Sequence, residues 1–225
     1  MPKIFKNEYL SPRSPYVSLA IPKQGIGSWA RWNEQFEVDD SGLRRVAEQN
    51  NGKLTLPNGV YFKTVGLNEE KNIAFTSQWD NFPREISVPL GGKAAKIYLL
   101  LAGSTNQMQS RFVNGEIVVT YVDNSTENLP LVNPTNWWPI DQDYLIDDFA
   151  FKRPEAIPPR VDLKTGTVRI VNLADFKGKG KKVEGGAATV LDLPLDPKKE
   201  LKSVTVRTLA NEVIIGLMSA TLLRN

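Results

Sequence analysis

The side chains most able to bind a ligand are concentrated in residues 133–144, which read Asn-Pro-Thr-Asn-Trp-Trp-Pro-Ile-Asp-Gln-Asp-Tyr. Pro134 and Pro139 fix the backbone and remove two donors, which predicts a surface loop rather than a helix or a central strand. An aromatic ring gives a sugar a flat apolar face, and neighbouring polar groups can bind its hydroxyls. We therefore interpret this segment, the proline-bounded loop, as a candidate carbohydrate-binding loop.

Four residues of the proline-bounded loop are candidate ligand contacts: Trp137, Trp138, Asp143 and Tyr144. Adjacent residues on an extended segment face opposite sides, so we expect one indole ring to be buried and the other partly exposed. The alternative is that the tryptophans only fill the end of a β-sandwich core. In that case the loop would be structural.

Two further groups of residues are candidate ligand contacts, Trp79 with Asp80, and Arg111 with Gln107 and Gln109. A guanidinium and amides can bind vicinal hydroxyls or the carboxylate of a uronic acid. The structural alternatives are that Trp79 packs in the core and that Arg111 tethers a loop. Both alternatives stay open at this point.

The chain contains no histidine and no cysteine. This excludes disulfides, thiol nucleophiles, imidazole or thiolate metal sites and every histidine-based catalytic triad. A glycosidase or lyase could still use Asp141 with Asp143, or Asp143 with Tyr144. Carboxylates two residues apart on an extended loop point in opposite directions, however, so we assign no catalytic residue.

The charge balance and the apolar runs limit the kinds of partner. The 28 basic and 25 acidic residues give a net charge of +3, too small to indicate a nucleic-acid partner. The most basic run, residues 177–182, lies among glycines without aromatic residues and predicts a solvated hairpin tip. No stretch approaches membrane-spanning length, and the first residues lack the apolar core of a signal peptide.

From residue 71 onward, short β-favouring runs alternate with turn residues, which predicts an all-β fold of about nine strands. Residues 95–102 form a nearly continuous apolar run, which indicates a central strand buried on both faces. The last apolar run, 211–222, must pair inside a sheet and close the domain. The expected core consists of Ile97, Leu99, Leu101, Ile117, Val119, Val204, Val206, Ile215 and Leu217.

Residues 1–70 have a different character, with Ser-Pro steps, one helical turn at 41–48, a turn at 50–52 and a strand near 60–64. They have too little periodic apolar sequence for a core of their own. We therefore predict a loop-rich N-terminal extension, 1–70, that packs on a β-sandwich domain, 71–225.

Residues 71–225 resemble the galactose-binding-domain-like jelly rolls, a superfamily that includes many carbohydrate-binding modules. Segment 86–104 looks like their paired early strands, and 201–222 looks like their closing pair. Segment 114–127 is similar to their hairpin, with Asn124 where glycine is usual. The resemblance implies a jelly-roll β-sandwich.

A second resemblance spans nearly the whole chain. Segments 7–16, 75–82 and 133–144 resemble the C-terminal domain of large bacterial glycoside-hydrolase-like proteins. This implies a polysaccharide context, an extracytoplasmic (periplasmic or secreted) location, and carbohydrate or a neighbouring catalytic domain as partner. The expected function is a non-catalytic accessory domain that binds carbohydrate or supports a catalytic domain, and the alternative is a purely structural scaffold between domains.

Many jelly-roll modules of this kind hold a structural Ca²⁺ with a carboxylate on the last strand. Here residues 218–222 contain no acid, so we expect no cofactor and no metal. The acidic residues Asp141, Asp143, Asp147 and Asp148 could offer oxygen ligands to a hard cation, but their segment lacks the glycine and terminal glutamate of an EF-hand loop.

Overall fold

The computed structural model describes residues 14–19, 38–68, 71–78, 82–105, 109–143, 157–170, 172 and 181–224, and the statements below concern these residues. They contain a single α-helix, α1 (Ser41–Gln49). The first strands are β1 (Tyr16–Val17), β2 (Lys53–Thr55), β3 (Tyr61–Lys63), β4 (Ile73–Ser77), β5 (Glu85–Pro89), β6 (Lys96–Ser104), β7 (Val113–Tyr121) and β8 (Thr126–Val132). The remaining strands are β9 (Gln142–Asp143), β10 (Arg160–Asp162), β11 (Val168–Arg169), β12 (Lys181–Lys182), β13 (Ala187–Pro194), β14 (Leu201–Thr208) and β15 (Ile214–Leu223).

The strands form two large sheets, and all pairings between strands are antiparallel. The seven-stranded sheet has the order β1-β4-β15-β6-β13-β10-β11, and the four-stranded sheet has the order β5-β14-β7-β8. Two small two-stranded sheets, the β2-β3 hairpin and the pair β9-β12, complete the fold. The predicted all-β class is therefore confirmed. Within the described part of the chain, no helix is long and apolar enough to cross a membrane.

The two large sheets enclose a hydrophobic core. Side chains of β6, β13 and β15 meet side chains of β7, β8 and β14 there. All nine residues that the sequence placed in the core are buried in this cluster. Their alternation along each strand puts them on the inner face, as the two-residue period of a strand requires.

Strand β6 is buried on both of its faces, as predicted. Leu99 and Leu101 belong to the core between the sheets, whereas Leu100 and Ala102 belong to a second core on the opposite face of the seven-stranded sheet. The strand lies between β15 and β13 in the middle of that sheet. Its continuous apolar sequence is thus explained by cover on both sides.

The N-terminal part of the chain supplies this second cover. Leu43 of α1, Leu54 of β2 and Phe62 of β3 are buried in the second core with Leu100 and Ala102. The predicted helical turn at 41–48 is confirmed as α1, and the predicted strand near 60–64 contains β3. Elements α1, β2 and β3 thus form a third layer on the seven-stranded sheet, whereas β1 is an edge strand of that sheet beside β4.

Two strand pairs suggested by the resemblance are corrected. Segment 86–104 contains most of β5 and β6, but β5 pairs with β14 while β6 pairs with β13 and β15. Likewise β14 and β15 lie in different sheets. The reason lies in their outer faces: β15 contributes apolar residues to both cores, whereas the outer face of β14 carries Ser203, Thr205 and Arg207. Strand β15 is apolar on both faces, so it lies in the seven-stranded sheet, which is covered on both sides.

The hairpin predicted around residues 123–125 is present between β7 and β8. Asn124 has φ 64°, a left-handed conformation that asparagine tolerates better than most residues. The pKa of Asp123 is lowered to about 2, mainly by hydrogen bonds from the Ser125 hydroxyl and backbone N–H and to a smaller extent by the contact with Lys199. Asn124 thus adopts the left-handed conformation at a turn position where glycine is usual.

Replacing Phe62 with alanine should show whether the third layer belongs to the cooperative core. We expect the free energy of unfolding to fall by about 3–5 kcal/mol, because a fully buried ring is lost and a cavity remains. Urea unfolding followed by tryptophan fluorescence measures this. The matched control is Tyr61→Ala on the exposed face of the same strand, which should cost far less. Equal small losses in both variants would contradict this role.

Deleting residues 218–225 should prevent folding. The deletion removes six of the ten residues of β15, the strand that joins β4 to β6 in the seven-stranded sheet. Strand β6 would then lose the partners of its residues 96–100, whereas β4 pairs only with residues 214–217, which remain. Circular dichroism during heating provides the measurement. A truncated chain that melts in a single cooperative transition would disprove this expectation.

Candidate functional site

The proline-bounded loop begins with a tight turn after β8. The backbone N–H groups of Asn136 and Trp137 both donate to the carbonyl of Val132, and the Asn136 side chain accepts from the Val132 N–H at 2.8 Å. The bond between Asn133 and Pro134 is cis. The start of this loop is therefore a turn rather than an extended strand.

Both indole rings of the loop are buried, with Trp137 0% and Trp138 3% exposed. The expectation that one ring would be partly exposed is wrong, because the two-residue alternation on which it rested applies to extended chain only. Trp137 lies in the core between the sheets, and the Trp138 indole N–H donates to the carbonyl of Pro134 at 2.6 Å. The core-filling alternative therefore describes both rings, and neither offers a sugar an open face.

The far end of the loop is held by a buried arginine that sequence reasoning missed. The Arg160 guanidinium donates to the Thr189 hydroxyl at 2.5 Å and to the Pro139 carbonyl at 2.8 Å. Its Nε lies 3.3 Å from a carboxylate oxygen of Asp143, and its Cζ lies 5.6 Å from the centre of the Trp138 ring. Arg160 thus fastens the loop to β10 and β13.

Arg169 completes this group, which we call the arginine clamp: Asp143, Arg160, Asp162 and Arg169. Arg169 donates to Asp143 at 2.9 Å and to Asp162 at 2.8 Å. Burial lowers the pKa of Arg160 to about 10, and this outweighs the opposing effect of Asp143. Burial also disfavours the charged form of Arg169, but hydrogen bonds to Asp143 and Asp162 outweigh it and raise the pKa. Two arginines and two aspartates leave the clamp with no formal net charge.

Within the arginine clamp, Asp143 has a structural role. Its side chain is 1% exposed, and each of its two oxygens contacts a guanidinium. Asp141 is also buried, and its backbone carbonyl accepts from the Val183 N–H at 2.9 Å. A carboxylate that transfers a proton to a glycosidic oxygen must reach the substrate. This geometry gives Asp143 no such access.

Gln109 and Arg111 lie at the other end of the proline-bounded loop. The Arg111 N–H donates to the carbonyl of Asn133 at 2.8 Å, and Ser110 forms a β-bridge with Asn133. The Asn114 amide donates to the carbonyls of Gln109 at 2.7 Å and Phe112 at 3.2 Å. Because Asn114 is fully buried, these bonds anchor the 109–112 turn to the sandwich.

Two residues of this turn, Arg111 and Phe112, are exposed. Arg111 is exposed, and its backbone has φ 70°, which is uncommon for a residue other than glycine. Next to it, Phe112 is 45% exposed. Phe112 is not among the contacts predicted from the sequence, although its position directly after Arg111 was a usable signal. We call Arg111 and Phe112 the Arg-Phe turn.

The candidate residues are therefore divided between two places. Gln109 and Arg111 lie beside Asn133, whereas Asp143 lies in the arginine clamp. Trp79, Asp80, Gln107 and Tyr144 lie outside the described residues, and their proposed roles stay predictions. No group of three or more metal-ligating residues occurs within the described ranges, and Asp147 and Asp148 lie outside them.

No protein-family model matches the chain, and no curated protein shows a significant similarity to it.

Replacing Arg160 with methionine should be strongly destabilising. It leaves the buried Asp143 carboxylate with one arginine fewer, and breaking a buried ion pair from one side typically costs about 3–5 kcal/mol. Urea unfolding provides the measurement. Arg207→Met is the matched control, because Arg207 pairs with Glu85 and Glu116 on an exposed surface, where such pairs contribute about 0–1 kcal/mol. Similar losses in the two variants would refute a stabilising role for the clamp.

Proposed function

We propose that the chain is a non-catalytic β-sandwich accessory domain of a polysaccharide-processing protein and that the Arg-Phe turn is its carbohydrate contact. The observation that carries this proposal is the conformation of Arg111. A non-glycine residue in the left-handed region costs free energy, and such residues concentrate at functional sites. Hydrogen bonds to the backbone of Arg111 and of the residues on either side of it stabilise this conformation.

The two side chains of the turn have complementary chemistry. An arginine fork binds paired oxygens, either vicinal hydroxyls or a uronate carboxylate. An exposed phenylalanine ring offers the apolar face on which a sugar ring stacks. The fixed backbone reduces the conformational entropy lost on binding, so a small contact area can still give measurable affinity.

The two aspartates that the sequence offered for acid–base chemistry within the described residues are both inaccessible. Asp143 is enclosed by two arginines, and Asp141 is buried. The polysaccharide context, the jelly-roll type and the extracytoplasmic location rest on the resemblance of segments 7–16, 75–82, 86–104, 114–127, 133–144 and 201–222. The proposed partners are therefore a glycan and a neighbouring catalytic domain.

A purely structural scaffold is the second candidate function. The observation that favours it is the burial of Trp137 and Trp138 together with the arginine clamp. Through these contacts the proline-bounded loop forms part of the core. A scaffold of this kind would support a neighbouring domain without holding a ligand.

Affinity electrophoresis in gels containing neutral or uronic-acid polysaccharides distinguishes the two functions. We expect at least one polysaccharide to retard the wild-type protein. Phe112→Ala should abolish the retardation, because the stacking face is lost. Arg111→Lys should weaken it, because an ammonium cannot form the two parallel bonds of a guanidinium.

The matched control is Val122→Ala, which removes an exposed apolar side chain at the opposite end of β7. It should leave the retardation unchanged. All three variants should melt within a few degrees of the wild type. If no polysaccharide in a broad panel retards the wild-type protein, the binding function is wrong and the scaffold is favoured.

A further inference from the structure

The chain contains three Asn-Gly steps, Asn51-Gly52, Asn58-Gly59 and Asn114-Gly115. Such a step can rearrange without an enzyme: the backbone nitrogen of the glycine attacks the side-chain amide carbonyl of the asparagine, and ammonia leaves. Glycine favours this reaction because it has no Cβ to hinder the approach and adopts many backbone conformations. The three steps lie in different surroundings, so the fold decides which of them reacts.

The step at Asn114 is protected by burial. Asn114 is fully buried, and its side-chain oxygen accepts from the Thr105 hydroxyl at 2.7 Å. Its amide nitrogen donates to the carbonyls of Gln109 and Phe112 at 2.7 and 3.2 Å. Both ends of this amide are therefore held by the sandwich, and water does not reach it.

The step at Asn51 is protected by its backbone. Asn51 is exposed, but the Gly52 N–H donates to the carbonyl of Ala47 at 2.7 Å. The carbonyl of Gly52 accepts from the Thr64 N–H at 2.9 Å. The attacking nitrogen would thus have to leave a junction that joins the end of α1 to the β2–β3 hairpin.

The step at Asn58 lies at the open tip of the β2–β3 hairpin. Pro57, Asn58 and Gly59 are all exposed. Apart from the chain neighbours of Gly59, no atom of the described residues lies within 4 Å of the place where a Cβ would stand on it. The Gly59 N–H donates to the carbonyl of Leu56 at 2.9 Å. This single bond at an exposed turn opens at a low free-energy cost and releases the nitrogen.

The amide carbonyl of Asn58 already has a backbone donor. The Val60 N–H donates to Oδ1 of Asn58 at 3.2 Å. This bond restricts the rotation of the side chain and keeps the amide beside the turn. When the Gly59 nitrogen attacks, the same oxygen gains negative charge, and a donor that is already in place stabilises it as in an oxyanion hole.

We propose that Asn58 is a site of spontaneous deamidation. A bond forms between the Gly59 nitrogen and Cγ of Asn58, the proton of that nitrogen passes through water to Nδ2, and Nδ2 leaves as ammonia. Water then opens the succinimide at either carbonyl, which gives aspartate or isoaspartate at position 58. The sum is one water consumed and one ammonia released, and the net charge falls by one from +3. The site is independent of the Arg-Phe turn.

Site-resolved mass spectrometry of the full chain tests this site. The protein is incubated at mildly alkaline pH, folded or in concentrated urea, and each Asn-Gly step is followed by the mass difference between asparagine and aspartate. In urea the three steps should convert at similar rates, because they are the same dipeptide. In the folded protein Asn58 should convert first, Asn51 more slowly, and Asn114 not measurably.

Two outcomes of this experiment would overturn the proposal. One is conversion of Asn51 or Asn114 in the folded protein at least as fast as that of Asn58. The other is a folded protein in which Asn58 does not convert.

Val60→Pro tests the backbone donor without changing the reacting atoms. In the folded protein it should slow conversion of Asn58 about tenfold relative to Asn51, which serves as a reference in the same molecule, because one hydrogen bond to the developing charge is lost. Val60→Ala is the matched control, because it removes the same side chain and keeps the N–H. It should leave the ratio of the two rates unchanged. Equal ratios in the two variants would refute the role of this donor.

Discussion

The seven-stranded sheet is apolar on both faces, and the rest of the structure depends on covering both of them. Strand β6 sets this requirement, since Leu99 and Leu101 face one core while Leu100 and Ala102 face the other. The four-stranded sheet covers the inner face. The outer face is covered by α1 and the β2–β3 hairpin. These short elements have no core of their own, and packing on the sheet holds them in place.

The arginine clamp follows from the same requirement. The proline-bounded loop crosses the end of the sandwich, where Trp137 must fill the core and Trp138 lies against Arg160. A buried guanidinium is costly unless it is paired and hydrogen-bonded: Arg160 donates to Thr189 and to the Pro139 carbonyl, and it forms an ion pair with Asp143. The loop therefore contributes to the core, and its polar side chains Asn136 and Asp143 contact β8 and the two arginines.

The proposed carbohydrate contact lies where a covering sheet begins. The Arg-Phe turn lies at the start of β7, where the chain enters the four-stranded sheet and Asn114 anchors the backbone. Elements that are rigid and incompletely covered can present side chains without reorganising on binding.

The sequence by itself determined the all-β class, the positions of the long strands and the membership of the core. Residues such as Val204 and Ile215 could be placed because the alternation of side chains along a strand is a local property. Which strands pair was decided by tertiary structure: β14 and β15 follow each other in sequence but lie in different sheets. The burial of both tryptophans and the meeting of Asp143 with Arg160 and Arg169 were also decided there. These features depend on contacts between segments far apart in the chain, and local periodicity carries no information about such contacts.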